Sequence, residues 1–525
     1  MSRTGAQCVV DALVAHGIKH LFTLSGNQIL SIYDATVASQ IALVHTRHEA
    51  AAVHMADAWG RLTDQPGVAL VTAGPGHCNA ISALYGALMS ESPMVLLSGH
   101  APRRQLGTGA FQEMDQVAAA RPVTKASWLA ESADTLGEDI ARALTLAASG
   151  RPGPVHVSLP SDLLEAAVAN GSRATPPPAL SAGELSVAAV RETLGLLATA
   201  RRPLIIAGPA MSRGARWRAV SALSELTHTP VLVMESPRGV NDPSLRAASA
   251  CLADADLILL VGKKLDYTLR FGRPPVFAAG ARLVHLDFNG AGDPAAGVDA
   301  LRSVARERDW RHTDWADEIV AAQTAQPPQW AELQNASRSP IHPVRLCAAI
   351  QPYLDRGGVL VSDGGEFGQW AQAALVAGTR LINGPSGSIG SALPMALAAK
   401  ILHADRTVIT TLGDGTFGYH ALEFDTALRY GLPIVAIVGN DARWNAEYQL
   451  QVQQYGPERT VGCQLMPSRY DRLVEALGGH GECVERPEEL APALARAIES
   501  GRPACVNVAI EGVAAPIFKA RVGPH

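Results

Sequence analysis

Two aspartates in the last quarter of the chain, Asp414 and Asp441, have the residue type and the setting of a divalent-cation site. Each follows a short apolar run typical of a buried parallel strand, with Asp414 between Gly413 and Gly415 and Asp441 after the run that begins at Ile434. Because neighbouring parallel strands end at one edge of a sheet, we expect the two carboxylates to lie side by side. Carboxylate oxygens suit Mg²⁺ that also binds phosphate oxygens. The flanking glycines let backbone N–H groups approach a diphosphate.

The chain contains an internal repeat that includes this segment. Residues 68–99 and 408–440 each read as strand, Gly-X-Gly, helix, Pro and strand, and a second match follows in residues 149–159 and 500–510. The repeat predicts one α/β unit used twice, near the two ends of the chain. Pro75 occupies the place of the aspartate in the first copy, so we expect the two copies to differ in role.

A third region lies between the two copies. Its short apolar runs alternate with helical segments, which predicts a doubly wound parallel sheet with strands at 203–208, 231–234, 257–262 and 283–287. Pro-rich linkers are expected at 174–181 and 325–330. The predicted fold class is therefore α/β, with three doubly wound parallel-sheet domains of which the first and third are related by internal duplication. We place the domains at residues 1–172, 182–325 and 340–525.

Composition excludes several classes of protein. The 525 residues are 47% hydrophobic and 18% charged, with a net charge of −5, and about three domains are expected from this length. No basic run occurs, which argues against a nucleic-acid partner. No apolar run approaches the ~20 residues that cross a bilayer, and the N-terminus is too polar for a signal peptide. The 7 cysteines include no CxxC, so we expect no zinc site, no disulfide framework and a reduced, cytoplasmic setting.

The segment from Gly413 to Trp444 resembles the diphosphate-and-metal motif of the thiamine-diphosphate enzymes of the acetolactate synthase, 2-hydroxyacyl-CoA lyase and benzaldehyde lyase group. The resemblance extends over essentially the whole chain. It implies thiamine diphosphate and Mg²⁺ as cofactors, with Asp414, Asp441 and the backbone carbonyl of Arg443 as metal ligands. The family motif normally ends in two asparagines, and here the second is Asp441.

The resemblance also assigns a role to each domain. It implies an N-terminal pyrimidine-binding domain, a central Rossmann-like domain and a C-terminal domain that binds the diphosphate and Mg²⁺. In the family the central domain is a site for FAD or an ADP moiety. Here no GxGxxG follows its first predicted strand, so FAD or ADP stays an open question.

Glu49 stands at a predicted strand-to-helix junction, after the apolar residues 41–44. By resemblance, this glutamate hydrogen-bonds N1′ of the aminopyrimidine. A proton shared there favours the 4′-imino tautomer, whose nitrogen removes the thiazolium C2 proton to give the ylide. Glu49 is therefore the predicted catalytic carboxylate.

Other cofactor contacts follow from the same resemblance. In the glycine-rich segment 383–391, Ile389 is the expected wedge between the two cofactor rings, and the Gly387 carbonyl the acceptor of the 4′-amine. Gly413, Gly415 and Thr416 are expected at the diphosphate. Asp363, at the end of another predicted strand, is a further candidate for the diphosphate.

The predicted substrate pocket is less specific. Gln28 and Gln112 match pocket positions of relatives, where an amide can hydrogen-bond a carbonyl oxygen, and a purely structural role stays open for both. His100 is either a proton shuttle or a wall residue, and Trp444 and Tyr448 are expected in the wall. Four basic residues of the central region either bind a nucleotide phosphate of coenzyme A or form a solvated loop. They are Lys263, Lys264, Arg270 and Arg273.

Three functions remain open at this point. The first is a carbon–carbon lyase or carboligase acting on 2-hydroxy ketones or 2-hydroxyacyl compounds, acyl-CoA included, through the C2 ylide and an enamine. The second is an acetolactate-synthase-type decarboxylase and carboligase of 2-oxo acids, and the third a non-catalytic thiamine-diphosphate-binding protein. The resemblance implies a homodimer or homotetramer, with Glu49 and Asp414 of different subunits acting on one cofactor.

Overall fold

The computed structural model describes residues 3–168, 185–288 and 293–517. They form two compact units. The first contains the described part of Met1–Leu180 together with Pro394–Leu402 and Leu422–Tyr430, and the second contains the described parts of Ser181–Leu393, His403–Ala421 and Gly431–His525. The linker predicted at 174–181 lies outside the described residues. The predicted domain boundaries stay predictions.

The first unit is built on a six-stranded parallel sheet. The strands of the first unit are, in chain order, β1 (Arg3–Thr4), β2 (His20–Thr23), β3 (Ala42–His45), β4 (Gly67–Val71), β5 (Met94–His100), β6 (Ala126–Leu129), β7 (Pro154–Pro160) and β8 (Ala167–Val168). The order across the parallel sheet is β3-β2-β4-β5-β7-β6, while β1 and β8 form a separate antiparallel pair. Strands β4, β5 and β7 are buried along their whole length, as expected for a parallel sheet covered on both faces.

The second unit contains two parallel sheets. Their strands are, in chain order, β9 (Pro203–Ala207), β10 (Val231–Val233), β11 (Leu257–Val261), β12 (Arg282–Leu286), β13 (Val359–Ser362), β14 (Thr379–Ile382), β15 (Val408–Gly413), β16 (Ile434–Asn440), β17 (His480–Val484) and β18 (Ala504–Ala509). The central sheet has the order β10-β9-β11-β12, and the C-terminal sheet the order β14-β13-β15-β16-β18-β17. The four strands predicted for the central region are present, each within two residues of its predicted ends.

Helices connect the strands and cover the sheets. The α-helices are, in chain order, α1 (Gly5–Ala15), α2 (Leu30–Val37), α3 (Glu49–Thr63), α4 (Pro75–Met89), α5 (Gln116–Ala120), α6 (Leu136–Ala148), α7 (Ser161–Glu165), α8 (Val187–Thr199), α9 (Gly214–Thr227), α10 (Ala248–Cys251), α11 (Pro294–Ala305), α12 (Asp314–Thr324), α13 (Trp330–Leu333), α14 (Pro343–Asp355), α15 (Gly365–Ala374), α16 (Ala392–Leu402), α17 (Asp414–His420), α18 (Glu423–Arg429), α19 (Asn445–Tyr455), α20 (Tyr470–Leu477) and α21 (Leu490–Glu499). Short 3-10 segments lie at Asn27–Ile29, Arg103–Gln105, Arg121–Val123, Ala133–Thr135, Pro209–Ser212, Gly239–Asn241, Pro243–Leu245, Leu252–Asp254, Tyr267–Gly272, Pro457–Arg459 and Pro487–Glu489. Within the described ranges, no helix is long and apolar enough to span a bilayer.

Strand β11 shows how both faces of a sheet are covered. Leu257, Leu259 and Val261 point into one apolar cluster with helices α8, α9 and α11, whereas Ile258 and Leu260 point into another with α10 and α12. Because successive side chains of a strand alternate between faces, a continuous apolar run is what a doubly covered strand requires.

The predicted duplication is confirmed by topology. When the strands of each parallel six-stranded sheet are numbered from its own first strand, both sheets have the order 2-1-3-4-6-5. The predicted fold class, with three parallel-sheet α/β domains of which the first and third are related, is therefore confirmed. One detail differs between the copies: β4 is followed by the single helix α4, whereas β15 is followed by the two short helices α17 and α18.

Candidate active site

The C-terminal sheet brings Asp414 and Asp441 together. Strands β15 and β16 pair in parallel with Gly413 opposite Gly439, so both strands end at the same edge. Asp414 begins α17 directly after β15, and Asp441 directly follows β16. Both side chains line one cavity in the second unit. The side-by-side carboxylates expected from the sequence are present.

The two carboxylates repel each other in a largely enclosed environment, Asp414 being buried and Asp441 half-buried. Asp414 is 2% exposed, and its Oδ2 atom accepts no hydrogen bond from the described residues. Burial raises the pKa of Asp414 to about 6, and burial together with the charge of Asp414 raises the pKa of Asp441 to about 7. A bound cation would offset this repulsion, and hard divalent cations favour such oxygen atoms.

The loop after β16 is held in an unusual conformation. Ala442 has φ +54°, in the left-handed region that side-chain-bearing residues seldom adopt. Its N–H donates to Asn440 Oδ1 at 3.1 Å, and its carbonyl accepts the N–H of Leu465 at 2.7 Å. An isolated antiparallel bridge joins Arg443 to Gln464. The hydrogen bonds of this bridge are made by the residues on either side of Arg443. The Arg443 carbonyl is therefore not used by the bridge.

Backbone contacts at the start of α17 are close. A Cβ atom on Gly415 would lie 2.7 Å from ring atoms of Trp444, so only glycine fits beneath this indole. Thr416 is buried and its hydroxyl donates to the Gly413 carbonyl at 3.0 Å. Gly413, Gly415, Thr416 and Trp444 all line the cavity that holds the two aspartates.

The glycine-rich segment 383–391 reaches the same cavity. Ile389 and Gly387 line it together with Asn383, whose side-chain amide donates to the Ser388 carbonyl at 2.9 Å. Gly387 has φ +71°, the conformation for which glycine is suited. The structure thus places the predicted wedge and the predicted carbonyl acceptor beside the carboxylate pair.

Asp363 occupies a different environment from the one expected for a diphosphate contact. It is fully buried and does not line the cavity, whereas the next residues, Gly364 and Gly365, do. Its Oδ1 accepts the N–H groups of Gly364 and Gly390 at 2.7 and 2.9 Å, and its Oδ2 accepts that of Ala392 at 3.0 Å. Asp363 therefore fixes the end of the segment that contains Ile389.

Two charged cavity residues, Arg238 and Glu366, were not found from the sequence. Arg238 belongs to the loop after β10 of the central sheet, and Glu366 to the first turn of α15. Among the described residues no carboxylate forms an ion pair with Arg238. Burial raises the pKa of Glu366, and the charge of Arg238 opposes part of that rise. A single arginine in a loop has no distinctive sequence pattern.

In the first unit, Glu49 is the first residue of α3 and follows β3. It is 8% exposed, and its Oε2 atom accepts a hydrogen bond from Asn79 Nδ2 at 3.0 Å. A Cβ atom on Gly76 would lie 3.3 Å from its Oε1 atom. Asn79 was not predicted, because a polar residue on a helix such as α4 gives no sequence signal of its own.

Gln28 and Gln112 lie near Glu49 around the first turn of α4. Gln28 Oε1 accepts the Thr72 hydroxyl at 2.6 Å, and a Cβ on Gly76 would lie 2.7 Å from Thr72. Gln112, with φ +60°, packs so closely on Gly74 that a Cβ there would lie 2.9 Å from it. The structure brings these predicted residues into one region and does not assign their roles.

Two other predicted groups are occupied by protein contacts. His100 Nε2 is 3.0 Å from the Met114 carbonyl, the contact of a wall residue. Lys263 is 4% exposed and hydrogen-bonds both carboxylate oxygens of Asp266, at 3.0 and 2.9 Å. Lys263 is therefore neutralised within the protein, which reduces the basic set proposed for a nucleotide phosphate.

Comparison with known families agrees with this fold. Three family models match the chain: the thiamine pyrophosphate enzyme N-terminal domain at residues 3–119, the central domain at 190–293 and the C-terminal domain at 363–508. The chain belongs to the thiamine-pyrophosphate-dependent enzymes, which confirms the predicted family and sets aside a non-catalytic binding protein.

Individual relatives have two kinds of name. The chain is 38% identical over 524 residues to a probable acetolactate synthase of Mycobacterium bovis and to the acetolactate synthase large subunit IlvG of Mycobacterium tuberculosis, covering 95% of this chain and 94% of each relative. It is 30% identical over 582 residues to 2-hydroxyacyl-CoA lyase 2 of Bos taurus, covering 97% of this chain and 90% of the relative.

The residues present fit the cofactors that this family implies. The orphaned Asp414 Oδ2 and the adjacent Asp441 suit a divalent cation. No group of three or more His, Cys, Asp or Glu side chains suited to a metal occurs in the part of the chain that the structure describes. The Arg443 carbonyl stays the predicted third protein ligand.

Gly415→Ala should weaken binding of thiamine diphosphate, because the new methyl group displaces the Trp444 indole. Overpacking costs about 1–3 kcal/mol, so we expect a rise of about tenfold or more in Kd. Quenching of tryptophan fluorescence at fixed Mg²⁺ measures it. Gly418→Ala is the control on the same helix, since no atom lies within 4 Å of its new methyl group. Equal Kd values for the two variants would contradict the prediction.

Asp363→Asn should change how stability depends on pH. Burial raises the pKa of Asp363 to about 6, above its value of about 4 in the unfolded chain. The stabilisation from the protonated side chain is therefore complete below the unfolded pKa and is lost as pH rises through 6. The free energy of unfolding of wild type, relative to that of Asp363→Asn, should therefore fall by up to about 3 kcal/mol between pH 4 and 7. The difference in Tm between the two proteins should narrow over the same range. The exposed Asp256 accepts backbone N–H groups at 2.8 and 2.9 Å and provides the matched Asn variant. The same narrowing in Asp256→Asn would contradict the assignment to Asp363.

Proposed function

We propose that this enzyme is a thiamine-diphosphate- and Mg²⁺-dependent carbon–carbon lyase or carboligase that acts on 2-hydroxy ketones or 2-hydroxyacyl compounds. The main support is the pair formed by the buried Asp414 and the half-buried Asp441 at the edge of the C-terminal sheet, in a chain that belongs to the thiamine-pyrophosphate enzymes. Relatives named 2-hydroxyacyl-CoA lyase support this substrate class.

The second unit would hold the charged end of the cofactor. Asp414, Asp441 and the Arg443 carbonyl would bind Mg²⁺. Because the Thr416 hydroxyl already donates to Gly413, its backbone N–H is the group left for a phosphate oxygen. Ile389 would separate the two rings, and the Gly387 carbonyl would accept a hydrogen bond from the 4′-amine.

The first unit would control the proton at the other end. Bound thiamine diphosphate supplies a nucleophilic carbon that attacks a carbonyl group. Glu49 would hold the proton at N1′, and Asn79 would orient the Glu49 carboxylate through the hydrogen bond at 3.0 Å. Since Gln28 Oε1 already accepts the Thr72 hydroxyl, the Gln28 amide N–H groups are free to donate to a substrate oxygen.

A second candidate function, decarboxylation of a 2-oxo acid followed by ligation, is favoured by Arg238. This guanidinium lines the cavity, and no described carboxylate forms an ion pair with it. Arginine binds carboxylates through paired hydrogen bonds, so Arg238 suits the carboxylate of a 2-oxo acid. The relatives named acetolactate synthase support the same alternative.

Variants of the two aspartates test the metal site. Asp414→Asn should raise the Kd for thiamine diphosphate at fixed Mg²⁺ by about a hundredfold, because a buried charged ligand is lost. Asp441→Asn should stay within about tenfold of wild type, because the family motif normally has an asparagine at this position, whose amide oxygen also binds hard cations. Isothermal titration measures both. Unchanged binding by Asp414→Asn would refute the metal assignment.

A donor screen with CO₂ detection separates the two substrate classes. Aldehyde formed from 2-hydroxy ketones or 2-hydroxyacyl-CoA without CO₂ supports the lyase, whereas CO₂ from 2-oxo acids supports the second candidate. In the second case Arg238→Met should raise KM for the 2-oxo acid by about tenfold or more. Arg356→Met, outside the cavity, is the control, and equal KM values would rule out Arg238 as the carboxylate ligand.

We also propose a homodimer or homotetramer, on the basis of the resemblance alone. Light scattering of the purified protein with both cofactors present tests it. A monomer that turns over substrate would refute it.

A further inference from the structure

Side chains of α18, and that of Tyr430 directly after it, hold the turn that leads into Glu49. His45 donates its N–H to the Tyr430 hydroxyl at 2.8 Å, and its carbonyl accepts a hydrogen bond from Arg429 Nη2 at 2.6 Å. Arg47 donates its N–H to both carboxylate oxygens of Glu423, at 2.9 and 3.2 Å. The backbone between β3 and α3 is thus fixed at two points immediately before the predicted catalytic residue.

The Glu423 carboxylate is buried and accepts hydrogen bonds from neutral groups, with the charge of Arg429 nearby. It is 1% exposed, and besides Arg47 it accepts the Thr426 hydroxyl at 2.6 Å. Burial raises the pKa of Glu423, and hydrogen bonds from Thr426 and from the backbone of Arg47 and His48 oppose that rise. Burying a carboxylate is costly unless its hydrogen bonds are satisfied. Here much of that satisfaction comes from the backbone of this turn.

The turn leaves Glu49 little freedom of direction. The side chain of Thr46 donates to the His48 carbonyl at 2.9 Å, and His48 Nδ1 accepts the N–H of Ala50 at 3.1 Å as the helix cap. Glu49 therefore leaves the first helical position of α3 from a backbone that is fixed on both sides. The Arg47 N–H, two residues before Glu49, is held by the Glu423 carboxylate.

We propose that Glu423 is a positioning residue for Glu49: its carboxylate fixes the Arg47 N–H and thereby sets where the Glu49 carboxylate lies. The inference rests on the proposed function, in which Glu49 holds the proton at N1′. Glu423 itself contacts neither cofactor nor substrate in this role. Because displacement of a catalytic group by about 1 Å can cost about a hundredfold in rate, a shift of this turn should be measurable in proton transfer.

The test measures exchange of the cofactor C2 proton for deuterium, which needs no substrate. Wild type and Glu423→Gln are saturated with thiamine diphosphate and Mg²⁺ in D₂O, quenched with acid and analysed by proton NMR. The Gln amide would set an N–H group against the Arg47 N–H, so we expect exchange to slow by about tenfold to a hundredfold. Near-ultraviolet circular dichroism of the bound aminopyrimidine should change in parallel. Glu91→Gln is the control, because Glu91 is another buried carboxylate of the first unit and pairs with Arg151, which is not part of this turn.

A double-mutant cycle separates positioning from general loss of structure. If Glu423 acts through Glu49, then Glu423→Gln should slow exchange no further in the Glu49→Gln background. Additive effects, or a lowered Tm with an unchanged exchange rate in the single variant, would overturn the proposal. If Glu423→Gln fails to fold, Tyr430→Phe removes one hydrogen bond to the turn and should slow exchange by a smaller factor. An unchanged rate in that variant would then overturn it.

Failure of the inference is distinguishable from failure of the proposed function. If wild type binds thiamine diphosphate and does not accelerate C2 exchange above the free cofactor, the proposed function fails. If wild type accelerates exchange and Glu423→Gln matches it, only the positioning role of Glu423 is wrong.

Discussion

The convergence of parallel strands at one edge of a sheet determines what this protein can do. Pairing of β15 with β16, with Gly413 opposite Gly439, forces Asp414 and Asp441 into one buried space. Two carboxylates in such a space repel each other, and this is reflected in the raised pKa of Asp441. The left-handed conformation of Ala442 and the bridge from Arg443 to Gln464 hold the surrounding backbone.

The same edge of the first sheet is used with different residues. There the ends of β2, β3 and β4 lead to Gln28, Glu49 and the turn at Gly74. The equal strand orders show that the scaffold is common, while Pro75 in one copy and Asp414 in the other separate their chemistry. One copy has the proposed metal-binding Asp414 after its strand, and in the other copy Glu49 begins a long helix.

Features that depend on residues close in the sequence were predictable, whereas contacts between residues far apart in the sequence were not. The strands around Asp414 and Asp441 and the junction at Glu49 were predictable because apolar runs and glycines mark them locally. Asp363 follows a strand in the same way, which suggested the diphosphate, yet its carboxylate is used by the backbone of Gly390 and Ala392.

Other residues of the sites gave no local signal. Asn79 lies on a helix face and Arg238 in a loop of the central region, and only the fold brings each beside its neighbours. The division of the expected helix into α17 and α18 was also missed, since residues 414–429 contain no proline and read as continuous.

The assignment of α18 to the first unit has a consequence for synthesis of the chain. The strands on either side of α18 belong to the second unit, whereas Leu422–Tyr430 packs with the N-terminal sheet. A nascent chain released only as far as residue 180 lacks the partners of His45 and Arg47, so these hydrogen bonds of the β3–α3 turn cannot yet form. Domains usually fold in order as they leave the ribosome. Here the N-terminal domain emerges first, but its last helix, α18, is translated only after most of the polypeptide.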